Sequence, residues 1–179
     1  LFGEEDITWV TWDVHGFTGI ELWNGLSELK AVIRSRLHAI FYAFFPHFIA
    51  HGPEQETLRK WDELLAQGEP VVAIGSSDAH QLKIRLGLLC KTIFPYTFHF
   101  QTVNTHVLVP DPLSGNPLPD RTMILNALRQ GHAFIGYDLP ASTRGFRFTA
   151  QGKEQNCIQG DEIRLDTGIT LQARLPEKC

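Results

Sequence analysis

The chain has 179 residues, of which 43% are hydrophobic and 20% charged, and its formal net charge is −4. This length is enough for one domain with a buried core, or for a domain with a small appendage. The charge gives no reason to expect a nucleic-acid partner, and no apolar run is long enough to predict a membrane span.

The cysteines and the first residue bear on the cellular context. The three cysteines are far apart and form no Cys-x-x-Cys pair, so neither a zinc ribbon nor a disulfide framework is predicted. A reducing, cytoplasmic location is the expectation. Because the sequence begins at Leu1 rather than at Met, we expect it to be an internal piece of a longer polypeptide.

The first predicted elements are a strand over 17–23 and two helices. Apolar side chains recur at three- and four-residue spacing over 27–45, which predicts one long helix that Pro46 ends. A second helix is predicted over 53–67, with proline at its start and Gly68 just past its end.

The most informative segment is an apolar strand over 71–74 that leads through Gly-Ser-Ser into Asp78 and His80. Residues two apart in an extended segment project to the same side, so this carboxylate and imidazole would face one cation. Mixed nitrogen and oxygen ligands suit Zn²⁺, Mn²⁺ or Fe²⁺. Metal ligands at the carboxyl ends of parallel strands are typical of barrel enzymes. The alternative is that Asp78 caps the next helix and His80 is a surface residue.

Four further side chains are candidates for the same site. Glu21 lies in the other apolar strand, where a carboxylate is unusual unless it is paired or on the solvated face. Asn24, at the end of that strand, could hydrogen-bond a ligand or serve an Asn-Gly turn. Lys83 and Arg85 follow the Asp-x-His turn and could attract an anionic group, although a solvated basic face also explains them.

Histidines and aromatic residues are also prominent. Among eight histidines, His106 is predicted on a strand face with Asn104, and His132 follows a helix end, where a cation is favourable. His99 has no companion in the sequence, and each of these three is interpreted as structural. The aromatic residues within 41–48 are predicted to form core or an interface. An apolar substrate wall or lid is a further alternative.

The remaining elements complete the fold prediction. Residues 81–103 are ambiguous; a strand is predicted over 104–109, a helix over 120–130 and a strand over 133–136. This order indicates an α/β unit with mostly parallel strands. Beyond Gly145, segments in which apolar and polar residues alternate are separated by polar turns, which predicts antiparallel β structure.

These motifs together resemble the PHP (polymerase and histidinol phosphatase) superfamily. The segments that carry the resemblance are Gly-Ile-Glu-Leu-Trp-Asn at 19–24 and Ile-Gly-Ser-Ser-Asp-Ala-His at 74–80. Residues 104–108, 127–138 and 145–148 are similar to the carbaryl-hydrolase-like branch of that superfamily.

The resemblance implies an α/β fold in which residues 1–144 are the C-terminal portion of a distorted, TIM-barrel-like (β/α)7 barrel. Residues 145–179 would be a β-rich segment leading to a trailing β domain. Asp78 and His80 match the last metal-ligand pair of the family, and Glu21 matches the acidic residue of its Gly-Ile-Glu strand. The full-length parent would hold two or three divalent metals and use metal-bound water on a phosphoester or related ester.

The sequence departs from the family pattern in one large respect. The initial His-x-His strand, a bridging Glu and a His-Pro motif are not found in it. We therefore expect an incomplete site, with the other ligands supplied by a missing N-terminal half of the barrel or by an oligomeric partner. The expected substrate is a small anionic molecule or ester, without nucleic acid or membrane. The alternative is a catalytically silent PHP-like binding or regulatory module.

Overall fold

The computed structural model describes residues 9–86, 89–165 and 168–176, which form a mixed α/β structure. The α/β class is confirmed at that level. The elements are β1 (Gly19–Asn24), α1 (Gly25–Val32), α2 (Arg36–Phe44), a 3-10 turn (Pro46–Phe48), α3 (Gln55–Ala66), β2 (Val72–Ser76), β3 (Leu82–Leu86), β4 (Leu89–Ile93), α4 (Tyr96–His99), β5 (Val103–Val107), α5 (Pro117–Arg129), β6 (Ala133–Tyr137), β7 (Arg147–Gln151), β8 (Asn156–Ile158) and β9 (Thr170–Arg174).

The two strands that carry the candidate ligands pair in parallel. In the register of β1 with β2, Glu21 lies opposite Ile74 and Asn24 opposite Ser76, with an irregularity just after Glu21. The carboxyl ends of both strands therefore lie at one edge. Gly25 lets α1 begin close to the turn after β2, since a Cβ at Gly25 would lie 3.2 Å from the carbonyl oxygen of Ser77.

The single long helix predicted over 27–45 is wrong, because the chain breaks between α1 and α2. Ile33 is extended, with ψ +90°, and Ser35 starts the next helix by accepting a 3.2 Å hydrogen bond from the His38 N–H on its hydroxyl. A serine at this position stabilises a new helix start, and the β-branched pair Val32-Ile33 loses side-chain freedom in a helix.

The break also changes where the aromatic residues lie. The core cluster contains Leu29, Ile49 and Phe94, whereas Phe44 is 63% exposed and Phe48 is 56% exposed. Tyr42 packs against this cluster, so the core prediction holds for Tyr42 and is wrong for the exposed phenylalanines, for which an interface stays a prediction. The apolar stripe is continuous in sequence, but its second half belongs to a separate helix.

The strands β5 and β6 form an antiparallel pair that packs on β2. The Thr105 hydroxyl bonds to both backbone groups of Gly75, accepting from its N–H at 2.9 Å and donating to its carbonyl oxygen at 2.7 Å. A Cβ at Gly75 would lie 2.5 Å from Cγ2 of Ile135, so only glycine permits this approach. These contacts fix β2 against the β5–β6 pair.

The prediction of mostly parallel strands is wrong. Among the strands that the structure describes, β1 with β2 is the parallel pair and every other pairing is antiparallel. These strands form four sheets of two or three strands and no closed barrel. A helix between two strands is compatible with an antiparallel return as well as with a parallel crossover, so element order did not decide the direction.

The segment beyond Gly145 is antiparallel, as predicted, with β7 pairing to β8 on one side and β9 on the other. It is joined to the end of α5 through a 2.9 Å contact between His132 Nε2 and Asp161 Oδ1. Within the described ranges, no helix has the length and apolar character needed to cross a membrane.

Candidate functional site

Two carboxylates meet at the carboxyl edge of β1 and β2. The Asn24 side-chain amide donates to Glu21 Oε2 at 3.0 Å and to Asp78 Oδ2 at 3.2 Å. The Ser76 hydroxyl donates to the other oxygen of Glu21. The structure therefore brings Glu21 and Asp78 together around one amide, although they are 57 residues apart in the sequence.

Asp78 holds an unusual backbone conformation. Its φ is +45°, in the left-handed region that few residues other than glycine adopt, although Asp and Asn tolerate it better than most. The extended geometry predicted for this tripeptide is therefore wrong, and so is the helix-capping alternative, because the next element is β3. A tight turn, rather than alternation along a strand, sets the relative positions of Asp78 and His80.

The imidazole of His80 is oriented by this turn. Its Nδ1 lies 2.8 Å from the carbonyl oxygen of Asp78 and 3.4 Å from Asp78 Oδ1. Both atoms are acceptors, so in the neutral ring Nδ1 carries the proton and the lone pair lies on Nε2. The His80 side chain is 61% exposed. A neutral imidazole with an accessible Nε2 is the form that binds transition metals.

The donor types fit a divalent metal, but their number is small. Two carboxylates and an imidazole are ligands that Zn²⁺, Mn²⁺ and Fe²⁺ accept. Within the residues that the structure describes, no group of three or more His, Cys, Asp or Glu side chains converges closely enough to hold a metal ion. Glu21, Asp78 and His80 would therefore supply part of a coordination shell.

Asn24 has a structural role at this edge. Its Oδ1 accepts a 2.9 Å hydrogen bond from the Ser27 N–H and so caps α1, while its Nδ2 donates to both carboxylates. The oxygen and both amide hydrogens are thus engaged within the chain. The expected contact of Asn24 with a substrate stays a prediction.

The two basic candidates lie on β3. Lys83 is exposed, and the side chain of Arg85 lies outside the described residues. None of the hydrogen bonds or ion pairs found in the described residues joins Lys83 to Glu21, Asn24 or Asp78. The role of both cations in anion binding stays a prediction.

His99 is a component of this region that the sequence did not indicate. It is 4% exposed, and its Nε2 lies 3.2 Å from the carbonyl oxygen of His80. Burial lowers the pKa of His99 below the ordinary histidine value, which favours the neutral ring. It lies on α4, within the ambiguous segment 81–103, and no spacing rule links it to the turn.

A second, more enclosed carboxylate–imidazole pair lies on the other face of the β5–β6 pair. His106 Nε2 is 2.8 Å from Asp138 Oδ2, and the Asn104 amide donates to the same oxygen at 3.0 Å. The Thr143 N–H and hydroxyl donate to Asp138 Oδ1 at 2.7 and 2.6 Å. The predicted shared face of Asn104 and His106 is confirmed, whereas Asp138 was missed.

The bonding of this second pair indicates a structural role. Burial acts to raise the pKa of Asp138, but the hydrogen bonds from Thr143, His106 and Asn104 together outweigh it, so the pKa is lowered. The Thr143 hydroxyl lies 3.0 Å from the same His106 nitrogen that contacts Asp138. A nucleophile relay uses the two ring nitrogens separately, so this geometry does not form one.

A groove in the described structure lies away from both pairs. It runs between α5 and the β-rich segment, and Leu118, Met123 and Arg147 are among its lining residues. Its position does not coincide with the edge where Glu21 and Asp78 meet. The chemistry of the donor set, rather than the size of the groove, therefore identifies the candidate site.

Comparison of this chain with protein-family models gives no match, and comparisons with curated proteins and with solved structures give none either. The PHP resemblance rests on the sequence motifs alone.

Proposed function

We propose that this chain forms part of a metal-dependent, phosphoesterase-like hydrolase that acts on a phosphoester or a related ester. The observation that carries the proposal is that Glu21 and Asp78 share the amide of Asn24 at the carboxyl edge of a parallel strand pair, with His80 in the turn beside Asp78. The motif resemblance assigns metal ligation to the same three residues.

The electrostatics of this edge favour a cation. Glu21 and Asp78 both receive hydrogen bonds from the amide of Asn24, so two negative charges lie close together. Two carboxylates that share one amide repel each other, and a bound divalent cation would offset the repulsion. The exposed side chain of His80, in the turn beside Asp78, could add a nitrogen ligand.

A divalent metal in such a site polarises a phosphoryl or carbonyl oxygen and activates water. The residues of this chain would hold the metal through Asp78 and His80, with Glu21 as a further ligand. Asn24 and Ser76 would orient the carboxylate of Glu21. Lys83 and Arg85 are proposed to steady the anionic substrate.

The proposal needs more ligands than these three. The family pattern supplies them from strands that precede the Gly-Ile-Glu strand. We assign the remaining ligands to those strands in the parent polypeptide or to an oligomeric partner, with two or three metals in the complete site.

A second candidate function is a catalytically silent PHP-like binding or regulatory module. It is favoured by the finding that, in the part of the chain described, no group of three or more ligand side chains converges on one point. This alternative retains the architecture of the edge but assigns it no hydrolytic chemistry.

The test compares two Asp–His pairs in the parent polypeptide. Bound Zn, Mn and Fe are measured by elemental analysis, and hydrolysis is measured with an aryl phosphate and an aryl ester. The site variants are Asp78→Asn and His80→Gln. The matched control is Asp161→Asn with His132→Gln, since that pair is also an Asp–His contact but lies by the β-rich segment.

We expect the site variants to lose at least tenfold in metal affinity and in hydrolysis, while the control pair changes neither. Metal binding that depends on Asp78 and His80 without hydrolysis of either substrate would favour the silent module. Metal content and activity that survive both site substitutions would refute the assignment of the site.

A further inference from the structure

Two residues other than glycine have a positive φ in the described parts of the chain, and one histidine contacts both of their segments. Asp78 has a φ of +45° and Phe94 has a φ of +53°. Such conformations persist where the surrounding structure holds them, and they concentrate at functional sites. His99 lies between the two segments.

His99 is fixed by aromatic packing on one side. Its ring centroid lies 6.3 Å from that of Phe94 and 5.7 Å from that of Phe98, both in edge-to-face orientation. Phe94 is buried in the core cluster with Leu29 and Ile49. A phenylalanine with this backbone conformation is costly, and its burial against the core and the imidazole accounts for its retention.

The backbone of His99 is fixed as well. Its carbonyl oxygen accepts hydrogen bonds from the N–H of Thr102 at 3.0 Å and from the Thr102 hydroxyl at 2.6 Å. Because both the ring and the main chain are held, the direction of the ring nitrogens is set by the fold rather than by solvent.

The Nε2 atom of His99 faces a group that can only accept. It lies 3.2 Å from the carbonyl oxygen of His80, so the proton of the neutral ring is on Nε2. His80 is therefore held from both directions: its carbonyl by His99, and its Nδ1 by the carbonyl of Asp78 at 2.8 Å.

We infer that His99 is a positioning residue whose Nε2–H fixes the Asp78–His80 turn, so that the Asp78 carboxylate and Nε2 of His80 are presented together to a cation. The inference rests on the proposed function for the identity of the ligand. The hydrogen bond itself and its effect on the turn are independent of that function.

The experiment uses two substitutions at His99 and one matched control. His99→Phe keeps an aromatic ring in the pocket but removes the donor, and His99→Gln keeps an N–H donor near the same position. His106→Phe is the control, because it removes a half-buried histidine whose hydrogen bonds do not involve the turn. Backbone hydrogen exchange over 77–82 and Zn²⁺ or Mn²⁺ affinity are measured for each protein in the full parent chain.

We expect His99→Phe to increase exchange over 77–82 and to weaken metal binding about 10- to 100-fold, the usual effect of losing a group that orients a ligand. His99→Gln should restore most of both, and His106→Phe should leave both at wild-type values even where it lowers the unfolding temperature. If His99→Phe does not fold, His99→Met, which also lacks a ring donor, takes its place: faster exchange over 77–82 and weaker metal affinity than in His99→Gln support the inference, and equal exchange in the two variants overturns it.

The failures of the two proposals are distinguishable. If the wild-type protein binds no metal and His99→Phe exchanges faster over 77–82 than the wild type, the proposed function is refuted and the positioning role is supported. A wild-type chain that binds metal, with unchanged affinity and exchange in folded His99→Phe, overturns the positioning role and leaves the proposed function intact.

Discussion

The Asp78–His80 pair in the turn after β2 and the His106–Asp138 pair at the β5–β6 strands differ in how completely their hydrogen bonds are made. At the turn after β2, the side chains of His80 and Asp78 are 61% and 39% exposed, and His80 Nδ1 lies 3.4 Å from Asp78 Oδ1. On β5–β6, His106 and Asp138 are 24% and 17% exposed and lie 2.8 Å apart. Both pairs place a carboxylate against an imidazole.

The difference separates binding from stability. Asp138 accepts from three side chains and a backbone N–H, so little of its hydrogen-bonding capacity is left for a ligand. Asp78 has the amide of Asn24 and the imidazole of His80 nearby, and it remains accessible to solvent. The enclosed pair stabilises the fold, whereas the open pair keeps hydrogen-bonding capacity for a ligand, which the proposed metal site requires.

The largest expected effect follows from removing Asp138. Asp138→Ala removes the acceptor that Thr143, His106 and Asn104 share, and we expect the free energy of unfolding to fall by about 2–3 kcal/mol. Denaturant unfolding measures the change. The control is Asp78→Ala, for which we expect less than about 1 kcal/mol because the site is more exposed. Equal losses in the two variants would remove the distinction between an enclosed and an open pair.

A smaller effect concerns acid stability. The pKa of Asp138 is lowered in the folded chain, so the unfolded chain binds the proton first as the pH falls. The resulting stability is present above the unfolded carboxyl pKa of about 3.9 and is lost as the pH decreases through the folded value. We expect Asp138→Asn to show a shallower loss of unfolding free energy below about pH 4. The remaining slope comes partly from Asp161, whose pKa is also lowered, chiefly by the Ile158 N–H. A slope identical to wild type would contradict the assignment.

The smallest effect is expected at the turn itself. Asp78→Asn keeps a residue that tolerates a positive φ and retains an oxygen for the amide of Asn24, while it removes the charge beside Glu21. We expect the free energy of unfolding to change by less than about 0.5 kcal/mol. Thermal and denaturant unfolding check this without any metal. A loss of several kcal/mol would mean that Asp78 is as structural as Asp138.

The positions of the elements were largely predictable where a local signal exists. Helix α3 lies within the predicted range 53–67 because proline and glycine mark its ends. The strands β1, β2, β5 and β6 overlap the segments predicted as strands. The break between α1 and α2 was not predictable from periodicity. The apolar spacing is continuous in sequence, but Ser35 starts a new helix by accepting a hydrogen bond from the His38 N–H.

The residues of the candidate site likewise fall into those that the sequence indicated and those that it did not. Asp78 and His80 are two residues apart, so the pair was visible as a motif, and Glu21 was visible as a carboxylate in an apolar strand. Ser76, His99 and Asp138 were not identified, because their partners lie 19 to 55 residues away along the chain. Composition and spacing carry no information on contacts of that kind.

The sequence by itself determined the mixed α/β character, the strand that leads into Ser-Asp-Ala-His at 77–80 and the residues whose side chains have the chemistry of metal ligands. Those properties follow from local preferences and side-chain chemistry. Only the tertiary structure decided which strands run parallel, that the carboxylates of Glu21 and Asp78 share one amide, and that His99 holds the carbonyl of His80. These contacts depend on how strands and helices pack across the chain, and packing energies join residues that have no fixed separation in the sequence.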